Sequence, residues 1–522
     1  MKKLLLILFL LSNLLLKAQV VFQHYYSNVP YCSILTNDQG YVFCGFCPDN
    51  STMPVSSDIL LVKTNADGDT LWKKTYHGPA DDTGWDVKLT FDGGYILTGI
   101  TNSFGSGQGD ILLLKADSLG NILWSTVVGG SLDDYGTHVQ QTADSGYIVC
   151  GMTKSFGAGG EDFYLVKANS TGNVQWTKTY GGTKNDYPHS VYQTSDMGFI
   201  IGGTSSSFTS LTNDYDAYIV KVDSIGNLQW SNTYEPALND ISDFYHTRPV
   251  DDGGYIATGY TLTSGLIGEE MIFTKLNATG NTQWVNKITG GATELGRFIE
   301  PVDNGYIITG TTYNSPSTPK FHPFLAKTDT SGNIVWSKKY ISSLGYAQEG
   351  LTVHQTPDGG YSLLANSSPV IGYTFTHTYF VKTDSLGNSG CNDSALVLIP
   401  TALSVPAVLQ VSTVLSGGIY ISPVFSDIHA PLNDYLLCSG SINVIEVENN
   451  FTFTFYPNPA THKLTIEATT QNGFIVLVDI TGHVLKQTVI NAGRTEIDVH
   501  DLPNGVYFVR CNSAVKKFIV NR

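Results

Sequence analysis

The 522-residue chain is poor in charge. Asp, Glu, Lys and Arg make up 14% of it, and 45 acids against 29 bases leave a net charge of −16. Lys and Arg form no patch, which excludes the electrostatic footprint that nucleic acid or an anionic membrane requires. The seven cysteines are odd in number and lack the paired spacing of metal ligands, so neither a metal nor a cofactor is expected. His-Glu-x-x-His and Gly-x-Ser-x-Gly are both absent, and no catalytic residue is assigned. Long apolar runs are missing except at the start. There Leu4–Leu11 and Leu14–Leu16 lie between Lys2-Lys3 and Lys17-Ala18-Gln19. A bilayer span needs about 20 apolar residues. This shorter, interrupted run after a basic start reads as a signal peptide, residues 1–18, cut after Ala18. No Cys follows the cut to carry a lipid.

What is abundant is Gly (53), Tyr (29) and Phe (24), the composition of an all-β chain with many turns. The chain also repeats itself. Trp72, Trp124, Trp176, Trp230, Trp284 and Trp336 recur at intervals of 52 or 54 residues. Before each stands a phrase such as Asp92-Gly93-Gly94-Tyr95-Ile96-Leu97-Thr98-Gly99. Its aromatic falls at Tyr41, Tyr95, Tyr147, Phe199, Tyr255, Tyr306 and Tyr361, which makes seven copies. Each copy contains four short apolar segments separated by Asp-x-Gly or Asn-x-x-Gly turns, where Gly supplies the positive φ. A four-stranded repeat of about 50 residues predicts a β-propeller blade. The seventh copy lacks its fourth strand, because Ser389-Gly390-Cys391 stands where Trp belongs. The mature N-terminus carries a spare strand, residues 20–26, in which Phe22 and Tyr26 keep the spacing of Trp72 and Tyr76. The expectation is a seven-bladed propeller over residues 19–390, its last blade completed by the N-terminal strand, which leaves no open edge.

Residues 391–450 read as a β-rich connector, and Cys391 and Cys438 within it are a candidate disulfide, which export would permit. Cys44 and Cys150 occupy a repeat position held by Thr in other copies and read as small core residues. From about residue 451 the strands predict a small β-sandwich. Its marks are Tyr456-Pro457-Asn458-Pro459, the Asp-x-x-Gly turn ending in Gly482, Gly505-Val506-Tyr507, and Lys516-Lys517 followed by Phe518-Ile519-Val520. Together they resemble the type A C-terminal sorting domain of type IX secretion substrates of Bacteroidetes. That resemblance implies passage through the type IX machinery and a mature protein either released or held at the outer-membrane surface.

In a repeat protein, features shared by all copies are architecture, and function belongs where copies differ. Strand C ends in Lys in every copy, and an acid recurs ten residues after Trp, at Asp82, Asp134, Asp186, Asp240 and Glu294. Both columns are read as turn capping and inter-blade bonding. The opening position of strand A varies instead: Cys32, Asp86, His138, Ser190, His246, Arg297 and Thr352. Strand A lies nearest a propeller's axis, so Asp86, His138, His246 and Arg297 are the candidate ligand-binding residues. The expectation is a monomeric, non-catalytic binding or adhesion protein whose ligand is a glycan or another protein. The alternative is a secreted hydrolase or lyase working at the channel mouth. The phrase Asp67-Gly68-Asp69-Thr70-Leu71-Trp72 resembles quinone-binding propeller repeats, but the adjacent cysteines of that class are absent.

Overall fold

A computed structural model describes residues 19–442 and 453–521, apart from 27–28, 50–55, 210–213, 236–239, 263–267, 291–292, 314–320, 342–346, 369–376, 391–392, scattered positions within 404–433, and 469–473, 479–483, 490–493, 501 and 512–513. The proposed signal peptide, the Cys391–Cys438 pairing and Gly482 fall outside the described residues. The chain is all-β, with no helix among the described residues, and divides into two compact units, 19–441 and 442–522.

The larger unit holds seven five-stranded antiparallel sheets. The first four strands of each come from one repeat copy, except in the last sheet. In the third sheet they are Asp134–Gln141, Tyr147–Thr153, Asp162–Ala168 and Val174–Gly181. The turn residues explain why these hairpins form. In the second sheet Asp92 Oδ1 accepts bonds from the Thr90 hydroxyl and the Gly94 amide, while Gly93 takes φ +79°. The recurring lysine of strand C then reaches back to the same turn: Lys115 Nζ donates to Asp92 Oδ1 (3.1 Å) and to the Ala116 carbonyl (2.9 Å). Lys63–Asp38, Lys167–Asp144, Lys221–Asp196, Lys275–Asp252 and Lys382–Asp358 repeat the clamp. Partial burial would raise these acids, but the converging donors outweigh it and pull Asp92, Asp144 and Asp196 down to about 2.

Consecutive sheets pack face to face. One buried apolar cluster joins the first sheet to the second, through Leu61, Tyr76, Leu97 and Leu112, and similar clusters join each later pair. A further cluster unites Phe22, Tyr26 and Phe380 of the seventh sheet with Tyr41, Phe43 and Leu60 of the first. Each junction carries a recurring polar tie. A residue of the fourth strand donates to a turn-glycine carbonyl of the next sheet: Tyr76 to Gly120 (2.7 Å), Thr126 to Gly172 (2.9 Å), Tyr180 to Gly226 (2.6 Å) and Tyr234 to Gly280 (2.7 Å). Asn286 to Gly332, Tyr340 to Gly387 and Tyr26 to Gly68 continue the series.

The Trp column packs on those same glycines. A Cβ at Gly172 (φ +82°) would lie 2.6 Å from the Trp124 ring, and at Gly68 it would lie 2.8 Å from Phe22, which stands in for Trp. Gly172→Ala therefore carries both a backbone and a packing penalty, and is expected to destabilise the protein by about 2–4 kcal/mol. Gly93→Ala meets nothing within 4 Å and is expected to cost only the backbone term, about 1–2 kcal/mol. Urea unfolding of the two variants measures the difference.

The N-terminal strand Gln19–Tyr26 pairs antiparallel with His377–Thr383, with Phe22 opposite Lys382 and Tyr26 opposite Thr378. The segment read as a connector is a run of short strands, each laid as a fifth strand on the outer edge of a sheet. Asp393–Ala395 joins the sixth sheet, Ile399–Leu403 the fifth, Ala407–Leu409 the fourth and Thr413–Leu415 the third. Ile419–Ile421 joins the second, Ser426–His429 the first and Asp434–Ile442 the seventh. This belt covers the sheets in reverse chain order, at six to eight residues per step.

In the smaller unit a three-stranded sheet (Phe453–Tyr456, Lys463–Ala468, Arg494–Asp498) and a four-stranded sheet share a core of Leu464, Ile466, Leu477, Val509 and Phe518. The sorting motif supports this core locally. Tyr456 Oη donates to Glu467, Asn458 Oδ1 accepts the Ile519 amide (2.8 Å), and Pro457 and Pro459 follow cis peptide bonds. Gly505 opens the strand that carries Tyr507, whose hydroxyl donates to the Pro503 carbonyl (2.8 Å). Lys516 and Lys517 lie on the final strand opposite Val509 and Phe508.

Candidate functional site

The first strand of every sheet forms the edge opposite the belt, so one side of its backbone has no sheet partner. First strands of consecutive sheets lie beside one another, as do those of the seventh and the first. The variable polar column satisfies amides on this edge. Asp86 Oδ2 accepts the Val139 amide (2.9 Å), His138 Nδ1 the Val191 amide (3.5 Å), Ser190 Oγ the Thr247 amide (2.9 Å) and His246 Nδ1 the Ile299 amide (3.4 Å). Between the seventh and first sheets the hydroxyls of Ser33 and Thr352 meet at 2.7 Å.

The structure thus brings Asp86, His138 and His246 together. His138 Nε2 lies 3.7 Å from Asp86 Oδ2, and the His138 and His246 rings are 6.2 Å apart, with the Tyr192 hydroxyl 2.9 Å from His246 Nε2. All three are buried, at 4, 5 and 3% exposure. Burial would raise Asp86, but Lys88 and His138 hold it below the usual carboxylate range. Burial pushes His138 down to about 3 despite Asp86, and drives His246 far below the ordinary imidazole range. Both rings are therefore neutral at physiological pH, consistent with their role as amide acceptors. A second pair went unnoticed in the sequence: His354 Nδ1 meets Glu300 Oε2 at 2.9 Å, with Arg248 3.5 Å from the same oxygen. These residues stand two positions after the column in their copies.

Arg297 does not belong to the column. Pairing in the sixth sheet skips from Gly296 to Phe298, as it skips from Gly136 to His138 in the third, so Phe298 is the structural equivalent of His138. Its ring stacks on His246 at 4.0 Å. Arg297 is the bulged residue itself. The same bulge occurs in every sheet and holds Tyr31, Trp85, Thr137, His189, Tyr245 and Leu351 in the other six. Bulges re-aim side chains at sheet edges, and here they produce a rim that is less buried than the column beneath it. Tyr31 and Trp85 are 36 and 38% exposed with ring centroids 6.0 Å apart, and Trp85 lies 6.3 Å from Tyr135. Farther along, the Arg297 guanidinium lies 4.0 Å above the Tyr245 ring and 4.0 Å from Glu349, while His189 pairs with Asp243 at 3.0 Å. The rim joins an aromatic segment on the first three sheets to a charged one on the fourth to seventh.

The recurring acid column shifts as well. Ser242 pairs with Thr261 as Asp186 pairs with Ser205. Ser242, rather than Asp240, therefore continues the series Asp82, Asp134, Asp186, and Glu294 follows it.

Residues 454–521 match the family described as a secretion system C-terminal sorting domain. The tail is thus a sorting domain of the type IX kind, which implies export to the surface or the medium and interaction with the type IX machinery. In an alignment of 225 positions that covers 37% of this chain, the chain is 24% identical to the regulatory protein FlaEY of Caulobacter vibrioides, and it spans 23% of that protein. Among solved structures, a puromycin hydrolase aligns over 66% of this chain and 59% of its own, at 11% identity and a TM-score of 0.36. PorZ, a bacterial surface component of the type IX secretion system of Porphyromonas gingivalis, aligns over 94% and 75%, at 10% identity and a TM-score of 0.27.

Proposed function

We propose that residues 19–441 form a closed seven-bladed propeller, displayed at the cell surface or released, that binds a glycan through the aromatic part of its rim. Closure is supported by the cluster, the Tyr26–Gly68 bond and the Ser33–Thr352 contact that join the last sheet to the first. The observation that carries the binding reading is the pair Tyr31 and Trp85, large aromatic faces left open by a bulge. Exposed aromatic faces supply rigid contact area with a polar tip, and the apolar face of a sugar ring fits such a surface.

Trp85→Ala is expected to weaken glycan binding at least tenfold, about 1.4 kcal/mol, with its melting temperature nearly unchanged. A glycan array followed by tryptophan-fluorescence titration of the array hit measures this. Equal binding by the variant and the parent would remove the rim from the proposal.

A second reading, hydrolase or lyase chemistry, draws on the Asp86–His138 and Glu300–His354 pairs. Turnover of the same glycans that is lost in His354→Ala while binding remains would favour it.

A further inference from the structure

On the inner edge of the second to fifth sheets we propose a binding site for a small oxyanion, a carboxylate or a phosphate, held by Lys88, Gln140, Tyr192 and Arg248 with His138 beside them. Each of the four stands two residues after the column residue of its own sheet, one tier nearer the turn that ends the first strand. Those turns, at 90–94, 142–146, 194–198 and 250–254, are all among the described residues. The site lies apart from the aromatic rim and does not rest on glycan binding there.

This tier is distinguished by hydrogens that have no acceptor. Gln140 Oε1 accepts the Gln193 amide (2.7 Å), which leaves the two hydrogens of its Nε2 unassigned. The ring protons of the two histidines are placed by their partners. His246 Nδ1 accepts the Ile299 amide, so its proton sits on Nε2 and goes to the Tyr192 oxygen at 2.9 Å. The hydrogen of the Tyr192 hydroxyl then has no acceptor among the described residues. His138 Nδ1 accepts the Val191 amide, so Nε2 carries its proton, and that buried atom has no hydrogen-bond partner. Asp86 Oδ2, 3.7 Å away, is beyond hydrogen-bond reach. Lys88 gives one of its three hydrogens to Asp86, and the Arg248 guanidinium, 4.9 Å above the Tyr192 ring, meets Glu300 at 3.5 Å. The charges of Lys88 and Arg248 both bear on His138 and on Tyr192, so these groups surround one region.

The nearby acceptors are already engaged. Asp86 Oδ1 takes the Cys32 thiol and Lys88, and Oδ2 takes the Val139 amide. Glu300 takes His354 on one oxygen and the Gln355 amide on the other. The second ring nitrogen of His354 donates to the Ser33 carbonyl (2.7 Å). Donating from both nitrogens, His354 joins Lys88 and Arg248 as a third cation against two carboxylates.

A buried donor without an acceptor is costly, and in a native fold it marks a missing partner. His138 is 5% exposed and Tyr192 7%. Lys88 and Arg248 keep 21 and 25% of their side chains exposed, which gives a ligand its access. Water and sugar hydroxyls bring hydrogens of their own. An oxyanion brings acceptors alone, and its bonds to cationic donors are the strong ones.

Calorimetric titration of the mature protein in Tris buffer, once with sodium phosphate and once with sodium succinate, tests the site together with thermal unfolding in each anion. One anion per chain and a raised melting temperature are expected with at least one of the two. Phosphate alone assigns the site to phosphate oxygens, and succinate alone to carboxylates. Gln140→Glu keeps an oxygen for the Gln193 amide but turns the donor into a carboxylate oxygen. It should weaken binding at least about tenfold and cancel the thermal shift, while melting close to the parent without anion. Gln283→Glu, the same change at an exposed fourth-strand position, should retain both. Tyr192→Phe, which removes one hydroxyl, should also weaken binding about tenfold, and it decides by the same titration should Gln140→Glu fail to fold. Absence of binding for both anions at millimolar concentration, or binding unchanged in the two variants, overturns the proposal.

Discussion

A chain that begins at Val29 is expected to lose its single cooperative unfolding transition and to self-associate. The eight residues of Gln19–Tyr26 lie between His377–Thr383 on one side and the last belt strand, Asp434–Ile442, on the other. Their loss strips two strands of their partners at once, and exposed strand edges template association. It also removes Phe22 and Tyr26 from the cluster that joins the last sheet to the first. Point changes divide the effect. Phe22→Ala is expected to cost about 3–5 kcal/mol through the cavity it leaves. Tyr26→Phe keeps the ring and loses the bond to the Gly68 carbonyl, about 1 kcal/mol. Urea unfolding and light scattering read these outcomes. A truncated chain that remains monomeric with an unchanged midpoint would discard ring closure.

Excision of residues 393–441 is expected to have an effect of comparable size by a different route. The four inner strands of each sheet keep their pairing, but every outer edge is uncovered, and association at roughly micromolar concentration is expected. The belt is held by more than backbone pairing. The Ser337 hydroxyl donates to the Leu396 carbonyl, the Ser125 hydroxyl to the Pro423 carbonyl and the Ser231 hydroxyl to the Gln410 carbonyl. Leu396 and Leu398 are buried in the cluster between the fifth and sixth sheets. Gln410→Pro removes two bonds, from the backbone N–H to the Ser231 carbonyl and from the side-chain amide to the Thr233 hydroxyl, and should lower stability by about 1–3 kcal/mol without association. Size-exclusion chromatography with light scattering separates the two outcomes.

The repeating sheets were legible in the sequence because their signals are architectural. The Trp column, the turn glycines it packs against and the lysine clamps are set by one geometry used over and over, so each copy preserves them. The belt was hidden for the opposite reason. Its strands are three to nine residues long, and each pairs along one edge only. Val408, Leu409 and Val411 are apolar yet exposed, so no buried alternation marks them. The candidate site was half visible. Asp86, His138 and His246 do converge, but as acceptors for amides on an open sheet edge, a need that appears only once the sheets stand side by side. Arg297 was misplaced by one residue. Counting fourteen from Trp gives Asp86, His138, Ser190 and Phe298, so the spacing already contained the correct register. The fifth and seventh copies break that count by two residues, and in the fifth the two extra residues stand between Trp230 and Ser242, which carries Ser242 into the place expected of Asp240.

The belt also sets how the molecule would yield under load. When the tail beyond residue 442 is held and the body is pulled, tension reaches the strand on the seventh sheet first, then that on the first, and runs backward to the sixth. Most of these attachments are only three to five residue pairs long. They detach one after another, each releasing a short length of slack while the sheets beneath stay intact. The extension trace becomes a staircase of small rips, and the covering strand acts as a fuse that dissipates shear before the core is strained.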